Sequence, residues 1–297
     1  MREGDAPIAY MARTRAYYAA LGFAAPYRWA QFEDVPFRRL AKPLAQSRVA
    51  LVTTAALAPP GAARTQPLTY DASLKFFSVA SAPSDRLPDL RINHVAIDFA
   101  HTTGEDTGSF FPLQALHRAQ AAGRIGGVTP RFHGLPTNRS QRVTRETDAP
   151  ALLARLREDG ADAAVLVPNC PVCHQSVSLA ARHLEANGIA TVIMGAAKDI
   201  VEYAGVPRFL FSDFPLGNAA GKPGDLASQD LTLRLALDLL EQAAAPRTTR
   251  QSPLAWSDDP GWKRDYGNLE GMSESELRRL RAEFDAQKAV ARRLPPR

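Results

Sequence analysis

Short apolar runs alternate with longer amphipathic stretches through the middle of the chain, which predicts strands and helices in turn. Residues 48–54 and 161–167 are apolar runs of strand length, and residues 189–194 form another. Between the last two lies a helical stretch, 171–187, which ends at Gly188. A strand, a helix and a strand within about 30 residues predict a βαβ unit with parallel strands and a right-handed crossover.

Further elements continue this alternation, and Asp148 is the predicted N-cap of one of the helices. The further strands are predicted at 74–80, 91–98, 126–132 and 208–211, and the further helices at 112–122, 149–159 and 226–244. Such alternation places the chain in the α/β class. It predicts a mostly parallel, Rossmann-like sheet with helices on both faces.

Both ends of the chain differ from this body. Residues 1–46 carry aromatic residues at helical spacing and predict a helical arm whose helix ends at Gly22. Residues 246–271 are loop-like, and Ser273 with Glu276 forms a capping box that begins a basic helix. The predicted domains are the arm, 1–46; an α/β catalytic body, 47–245, as one unit or as two lobes of about 47–145 and 146–245; and a loop with the basic C-terminal helix, 246–297.

The net charge of +5 raises the question of a nucleic-acid partner, but its location argues against one. Residues 278–297 carry seven basic and two acidic side chains, so the rest of the chain is neutral. We therefore expect no nucleic-acid binding by the body and a solvated helix at the C-terminus. Hydrophobic residues at 45% and charged residues at 23% are ordinary for a globular protein and argue against a disordered or fibrous one.

The sequence also carries information on the cellular compartment. No apolar run of membrane-spanning length occurs, and no apolar segment follows the charged start of the chain. We therefore expect no membrane span, no signal peptide and a cytoplasmic location. The chain has two cysteines, Cys170 and Cys173, which have no other cysteine to pair with. In a reducing compartment, a CxxC pair is more often redox-active or metal-binding than a structural disulfide.

Cys170 lies between a predicted strand and its helix, at the sheet edge where open α/β folds bind ligands. Pro171 suits the first helical position, which makes Cys170 the N-cap. Free N–H groups and the positive end of the helix dipole would then favour a thiolate at Cys170. Cys173 would lie one turn on, so the pair suits a nucleophile and a resolving thiol that pass through a disulfide. His174 either protonates a leaving group or is an ordinary polar residue of the first turn.

Three other interpretations of the motif stay open. The CxxCH pattern matches c-type haem attachment, although no export signal accompanies it. Zinc would need further ligands, which His94, His101 and His133 could supply. Alternatively, both cysteines are inert residues of the core.

Polar residues near the predicted strand ends are candidates for binding a substrate. Thr53 and Thr54 end one strand, and His94 marks another near its carboxyl end. The loop 217–224 departs from a P-loop because it is one residue short and has Pro223 in place of Ser or Thr. It either contacts a substrate carboxylate through backbone N–H groups and Asn218 or Lys222, or is a plain turn. The candidate substrate-binding residues are Thr53, Thr54, His94, Asn169, Gly217 and Asn218.

The residues around the cysteine pair resemble those of a known enzyme family. The stretch 162–175 reads DAAVLVPNCPVCHQ. Further matching segments are 188–192 and 214–225, with weaker ones at 48–54, 111–113 and 123–126. On these residues the chain resembles the selenoprotein B family of glycine, sarcosine, betaine and D-proline reductases, most closely the D-proline reductase branch.

In that family a selenocysteine heads the motif; Cys170 stands in its place, and Cys173 matches the second thiol. The resemblance implies reductive cleavage of a C–N bond next to a carboxylate in a small substrate, and we include C–S bonds in this expectation. Cys170 would attack the α-carbon and expel the amine; Cys173 would release the product and leave a disulfide. An external dithiol and a pyruvoyl group on a partner subunit are implied as well. No further cofactor is implied, and we expect a homo-oligomer.

Cysteine is a weaker nucleophile and leaving group than selenocysteine, so two other functions stay open. A homologue that kept only the nucleophile could attack a thiocarbonyl or imine carbon of a small heterocycle. Such a hydrolase or desulfurase would need Cys170 alone and no dithiol. The second alternative is a CxxCH metal-binding protein without enzymatic activity.

Overall fold

One sheet runs through the body of the protein. The computed structural model describes residues 6–23, 27–62, 68–137, 140–270 and 272–293. The strands formed by these residues are β1 (Arg48–Thr53), β2 (Ala56–Leu57), β3 (Ala80–Pro83), β4 (Leu90–Arg91), β5 (Gly127–Val128), β6 (Arg131–Gly134), β7 (Ala163–Val167), β8 (Ala190–Gly195), β9 (Arg208–Phe211) and β10 (Thr248–Gln251). Eight of them form the sheet, in the order β10-β9-β8-β7-β1-β6-β3 with β5 also paired to β1, while β2 and β4 pair apart from it. Within the sheet only the β3–β6 pairing is antiparallel among the described strands.

Helices lie between and beyond these strands. The helices of the described residues are α1 (Tyr10–Ala20), α2 (Leu113–Ala121), α3 (Gln141–Val143), α4 (Ala149–Glu158), α5 (Pro171–Ala186), α6 (Lys198–Ala204), α7 (Leu226–Gln242) and α8 (Glu274–Arg293). Within the described part of the chain, no helix is both long enough and apolar enough to cross a membrane.

Both faces of the sheet are buried, as the apolar runs predict. Along β1, Val49 and Leu51 join a core cluster that includes residues of α2 and α7. Ala50 and Val52 point the other way, into a cluster with residues of α4 and α5. Because neighbouring strand residues alternate between faces, a strand with no exposed face is apolar throughout. The α/β class, the mostly parallel sheet and the helices on both faces are confirmed.

The predicted βαβ unit is confirmed in β7, α5 and β8. Val165 of β7 lies opposite Val192 of β8, and the two strands are parallel. The same sheet contains β1 from the first half of the body and β7 from the second, paired along five residues from Val49 to Thr53. The unit therefore places the start of α5 directly beside the carboxyl end of β1.

Two predicted strands are wrong. Residues 74–80 begin in a 3-10 turn (Ala72–Leu74) and reach a strand only at β3, while 91–98 contributes a strand residue only at β4. The side chain of Asn93 explains part of this, because it bonds to the backbone of Asp71 in both directions, at 2.7 and 2.8 Å. That cross-link satisfies polar groups without a sheet neighbour. His94 therefore lies in a loop and not at a strand end.

Asp148 is not the N-cap that the sequence predicts. Its φ and ψ of −71° and −45° are helical, because the chain already winds through α3 and a π turn (Thr144–Asp148) into α4. Ser140 is the N-cap, and its hydroxyl accepts from Val143 N at 3.3 Å. The helical turns therefore begin earlier than predicted, and Ser140 takes the capping position that the sequence analysis gives to Asp148.

Helix α6 and strand β10, like the short elements β2 and α3, have no counterpart in the sequence prediction. Helix α6 spans seven residues, and its C-cap, Gly205, has a φ of 74°. Strand β10 lies in the segment predicted as loop, 246–271, and pairs with β9 from Thr248 to Gln251. Its residues are half-buried or exposed, as expected of an edge strand, so no apolar run announces it.

The arm and the C-terminal helix contact each other beside the body. The ring of Tyr10 packs edge-on against Tyr266, with centroids 4.9 Å apart. At the other end of α1, Phe23 lies 5.1 Å from Phe284 of α8, and the Arg281 guanidinium lies 3.7 Å from the Phe23 ring centroid. The predicted capping box is present at the start of α8, although residues 294–297 of that segment lie outside the described residues.

Candidate active site

The candidate site lies at the carboxyl ends of β1 and β7, which are neighbours in the sheet. Thr54 directly follows β1, and Asn169 and Cys170 follow β7. The Thr54 hydroxyl accepts from Asn169 N at 3.1 Å and from Asn169 Nδ2 at 3.3 Å. These bonds tie the two strand ends together and fix the backbone that leads into Cys170.

Cys170 is the N-cap of α5, as predicted. Its backbone is extended, Pro171 occupies the first turn, and Sγ accepts from Cys173 N at 3.2 Å. Both cysteines are free thiols, and only Cys170 retains some exposure, 5% against 0% for Cys173. The local sequence therefore places one slightly exposed thiol at the start of the helix and a second, fully buried thiol one turn further on.

Cys173 contacts two residues that are distant in sequence. Its Sγ lies 3.3 Å from the Thr137 hydroxyl and 3.6 and 3.7 Å from Nε2 and Nδ1 of His94. The two sulfurs and a ring nitrogen of His94 all lie within 4.8 Å of one another. The site is thus a dithiol with an imidazole and a hydroxyl against the inner sulfur.

The two thiols differ in acidity, and Cys173 is the more acidic of the pair. Burial raises the pKa of Cys170, and the N–H groups at the start of the helix offset only part of this effect. Burial also opposes ionisation of Cys173, but the hydrogen bond from Cys170 and the charge of His94 outweigh it. With the Thr137 hydroxyl, they hold the pKa of Cys173 well below its usual range. The helix-dipole argument favours ionisation of Cys170, whereas the surroundings of the pair favour ionisation of Cys173.

His174 has no ring nitrogen available to a substrate. Nδ1 lies 2.7 Å from the carbonyl oxygen of Cys170, and Nε2 accepts from Ala196 N at 3.0 Å and Ala197 N at 3.1 Å. Since Nε2 accepts, the ring is neutral with its proton on Nδ1, and burial lowers its pKa to about 4. The catalytic role predicted for His174 does not fit this placement. The residue instead fixes the backbone of Cys170 to the loop after β8.

Gly195 supplies the space that this arrangement needs. A Cβ there would lie 2.9 Å from the His174 ring and 3.2 Å from Phe209. The ring is bonded at both nitrogens and cannot retreat freely, so we expect Gly195→Ala to lower the free energy of unfolding by about 1–3 kcal/mol. Urea unfolding would measure the change. Gly127→Ala is the matched control, because nothing lies within 4 Å of a Cβ at that position; equal losses in both variants would contradict the packing argument.

A cavity of about 340 Å³ opens onto Cys170 and His94. Rings dominate its wall, which includes Tyr18 of α1 and Phe284 of α8 together with three rings from the segment before β3. These wall rings are Tyr18, Tyr70, Phe76, Phe77 and Phe284. The volume suits a small-molecule ligand, and the lining combines apolar surface with few polar groups.

Two cationic side chains complete the wall. Lys75 lies over the Phe77 ring, with Nζ 4.9 Å from the centroid, and Lys288 extends from the exposed side of α8. Among the described lining residues there is no carboxylate. The cavity is therefore suited to an anionic ligand with an apolar body.

The structure separates the other predicted substrate-binding residues from this cavity. Thr53 accepts from Ala55 N, and Thr54 and Asn169 bond to each other, so these three fix strand ends. Gly217 has a φ of 106° and packs against Thr102, whose hydroxyl accepts from Asn218 Nδ2 at 2.7 Å. Of the six candidates, His94 alone lines the cavity within the described residues.

The histidines proposed as further zinc ligands are also separated. His101 pairs with Asp265, its Nε2 lying 2.8 Å from the carboxylate. His133 is buried between the Ser81 hydroxyl at 2.9 Å and the Asp159 carboxylate at 3.0 Å. His94 is the histidine that reaches the cysteines.

Several site residues were missed from the sequence. Thr137 follows β6, which neighbours β1, so a search for hydroxyl residues after each strand could have found it. Phe284 and Lys288 are four residues apart and share one face of α8. The aromatic residue within this basic helix was the available signal that the helix packs against another part of the protein.

Sequence comparisons find two curated relatives, both named as subunits of reductases. The chain is 28% identical over 151 residues to the D-proline reductase subunit gamma of Acetoanaerobium sticklandii, which covers 50% of this chain and 62% of that relative. It is 24% identical over 223 residues to the glycine reductase complex component B subunit gamma of Carboxydothermus hydrogenoformans, 73% of this chain and 49% of that relative. The chain thus spans about half to three fifths of the length of these curated relatives. No family model and no solved structure matches it. The chain is therefore a homologue of these two reductase subunits, which supports the resemblance that the motif around Cys170 carries.

Proposed function

We propose that this protein is a dithiol-dependent reductase that cleaves a C–N bond, or a C–S bond, in a small carboxylate substrate. One observation supports the proposal above all: two free thiols lie one helical turn apart, the first at a cavity and the second behind it. A dithiol in this arrangement can pass to a disulfide without moving the backbone of the helix. The names of both relatives support a reductase role in general.

Cys170 is the nucleophile in this proposal, because its sulfur faces the cavity. As Cys170 attacks the carbon, its proton passes to the Cys173 thiolate and a C–S bond forms. The amine leaves with the electron pair of the C–N bond and takes the proton of the charged His94 ring. Cys173 then gives its proton to the neutral His94 ring and attacks Cys170 Sγ. The S–S bond forms, and the product leaves as a carbanion that takes this proton from His94 to become the reduced product. Both thiols are oxidised by two electrons in total, and the C–N bond is reduced by the same two.

The substrate would enter with its carboxylate toward the lysines. Lys75 and Lys288 supply positive charge at the cavity wall, and the rings of Phe76 and Phe284 supply apolar surface. Charge attraction orients the carboxylate, while the rings exclude water from the sulfur. The substrate is therefore a small anion whose scissile bond lies next to the carboxylate.

Two further components belong to the proposal. An external dithiol reduces the disulfide and resets the pair. A pyruvoyl group on a partner subunit activates the amine, and both relatives are themselves named as subunits. We also propose that the chain forms a homo-oligomer.

The disulfide is the direct test. Treating the reduced, chelator-washed protein with one equivalent of the thiol oxidant diamide is expected to give a chain two hydrogen atoms lighter, with the new bond between Cys170 and Cys173. Mass spectrometry of the intact chain and of its non-reduced peptides measures this, and dithiothreitol should reverse it. A chain that forms only mixed adducts or intermolecular disulfides would rule out the proposed dithiol cycle.

A further inference from the structure

We propose that His94, Cys170 and Cys173 also form a binding site for one thiophilic divalent cation, for which Zn²⁺ is the probe. Each residue offers one ligand atom, and the three atoms lie within 4.8 Å of one another. Two sulfurs and an imidazole nitrogen are the donors that Zn²⁺ prefers. This site goes beyond the proposed reaction and does not depend on it.

The spacing fits tetrahedral coordination. With Zn–S near 2.3 Å and Zn–N near 2.0–2.1 Å, a sulfur and a nitrogen bound to one tetrahedral ion stand about 3.5 Å apart. Cys173 Sγ lies 3.6 and 3.7 Å from the two His94 nitrogens, so either nitrogen can turn toward the ion. Cys170 and Cys173 come from one helical turn, the usual spacing of a CxxC metal half-site.

The surroundings also fit such an ion. Two thiolates neutralise its charge, which suits cysteines that are almost completely buried. The Thr137 hydroxyl, 3.3 Å from Cys173 Sγ, can donate to a metal-bound sulfur. Because Cys170 and His94 both line the cavity, the fourth position opens toward it and can take water or an anionic ligand.

Metal binding and disulfide formation exclude each other at this site. A thiolate that holds Zn²⁺ shares a lone pair with the ion and attacks a carbon or its partner sulfur more slowly, and an oxidised pair has no thiolate for the ion. The cation would therefore switch the redox pair off, and a chelator would restore it.

Titration of the reduced, metal-free full chain with Zn²⁺ against a chromophoric chelator tests the site. We expect one ion per chain and an affinity at least about tenfold lower in His94→Asn, because a ligand is lost. His101→Asn is the matched control, since His101 pairs with Asp265 away from the cysteines, and its affinity should equal that of the wild type. Bound Co²⁺ should show the intense visible bands of a tetrahedral site and a thiolate charge-transfer band.

Two outcomes would overturn the site. Either the wild-type chain retains no stoichiometric Zn²⁺, or His94→Asn binds it as tightly as the wild type. The unfolding transition of His94→Asn, measured in parallel, separates loss of a ligand from loss of the fold. Because the diamide experiment is run without metal, a failed zinc titration leaves its result unaffected, and the converse also holds.

Discussion

Replacing Cys170 by serine is expected to slow the reaction of the protein with iodoacetate by at least about a hundredfold. Iodoacetate imitates the proposed first step, because its carboxylate stands next to a carbon with a leaving group. Cys170 is the sulfur at the cavity, and Cys173 is fully buried behind it. Serine also caps helices, so Cys170→Ser should remove the nucleophile and leave the start of α5 in place. Mass spectrometry of the intact chain over time gives the rate, and peptide mapping gives the position.

Two controls make this result specific. Cys173→Ser should still be alkylated at Cys170, and every remaining thiol should react in urea. Rapid labelling of Cys173 in the folded Cys170→Ser chain would contradict the assignment of the outer sulfur as the nucleophile. Cys170→Ser should also lose dithiol-dependent turnover of any substrate that is identified.

The start of α5 could be predicted because its signals are local. Pro171 at the first helical position and Gly188 after the last turn define the helix without any knowledge of the fold. Cys170 then becomes the N-cap by position alone, and the structure confirms it. The strands on either side are continuous apolar runs, so the βαβ unit follows from pattern and length.

The acidity of the pair could not be predicted, because it depends on residues distant in sequence. His94 is 79 residues from Cys173, and Thr137 is 36 residues away. A local argument counts the helix dipole, which favours charge on Cys170. The distant hydrogen bonds and charge favour Cys173, and in a buried site they outweigh the dipole.

The cavity wall was missed for a related reason. The sequence shows where basic residues lie along the chain, but it does not show which surface of the folded protein they face. In the structure α8 contacts the arm through Phe284 and Arg281, and its single lysine, Lys288, lines the cavity. The basic residues of α8 predicted a helix exposed to solvent. Its few apolar positions pack against the arm instead, and the helix therefore supplies part of the candidate site.

Replacing Cys173 by serine is expected to stop the cycle after its first half. The probe is dithiodiglycolate, a disulfide of two small carboxylates. In the wild type, Cys170 should displace one thioglycolate and Cys173 should then displace the other, leaving the Cys170–Cys173 disulfide. Cys173→Ser should release one half of the probe and retain the other as a mixed disulfide on Cys170. Thiol release measured together with the mass of the chain distinguishes these two end states.

Thr137→Val provides the matched control for this result. It removes the hydroxyl beside Cys173 and keeps the sulfur, so resolution should slow while both halves of the probe are still released. Cys173→Ala should stall like Cys173→Ser, which excludes an effect of the new hydroxyl. Release of both halves by either Cys173 variant would show that the inner sulfur does not resolve the adduct. Because one thiol cannot reduce a disulfide to two thiols, the second thiol would then come from another chain, and the intact mass would show an intermolecular disulfide.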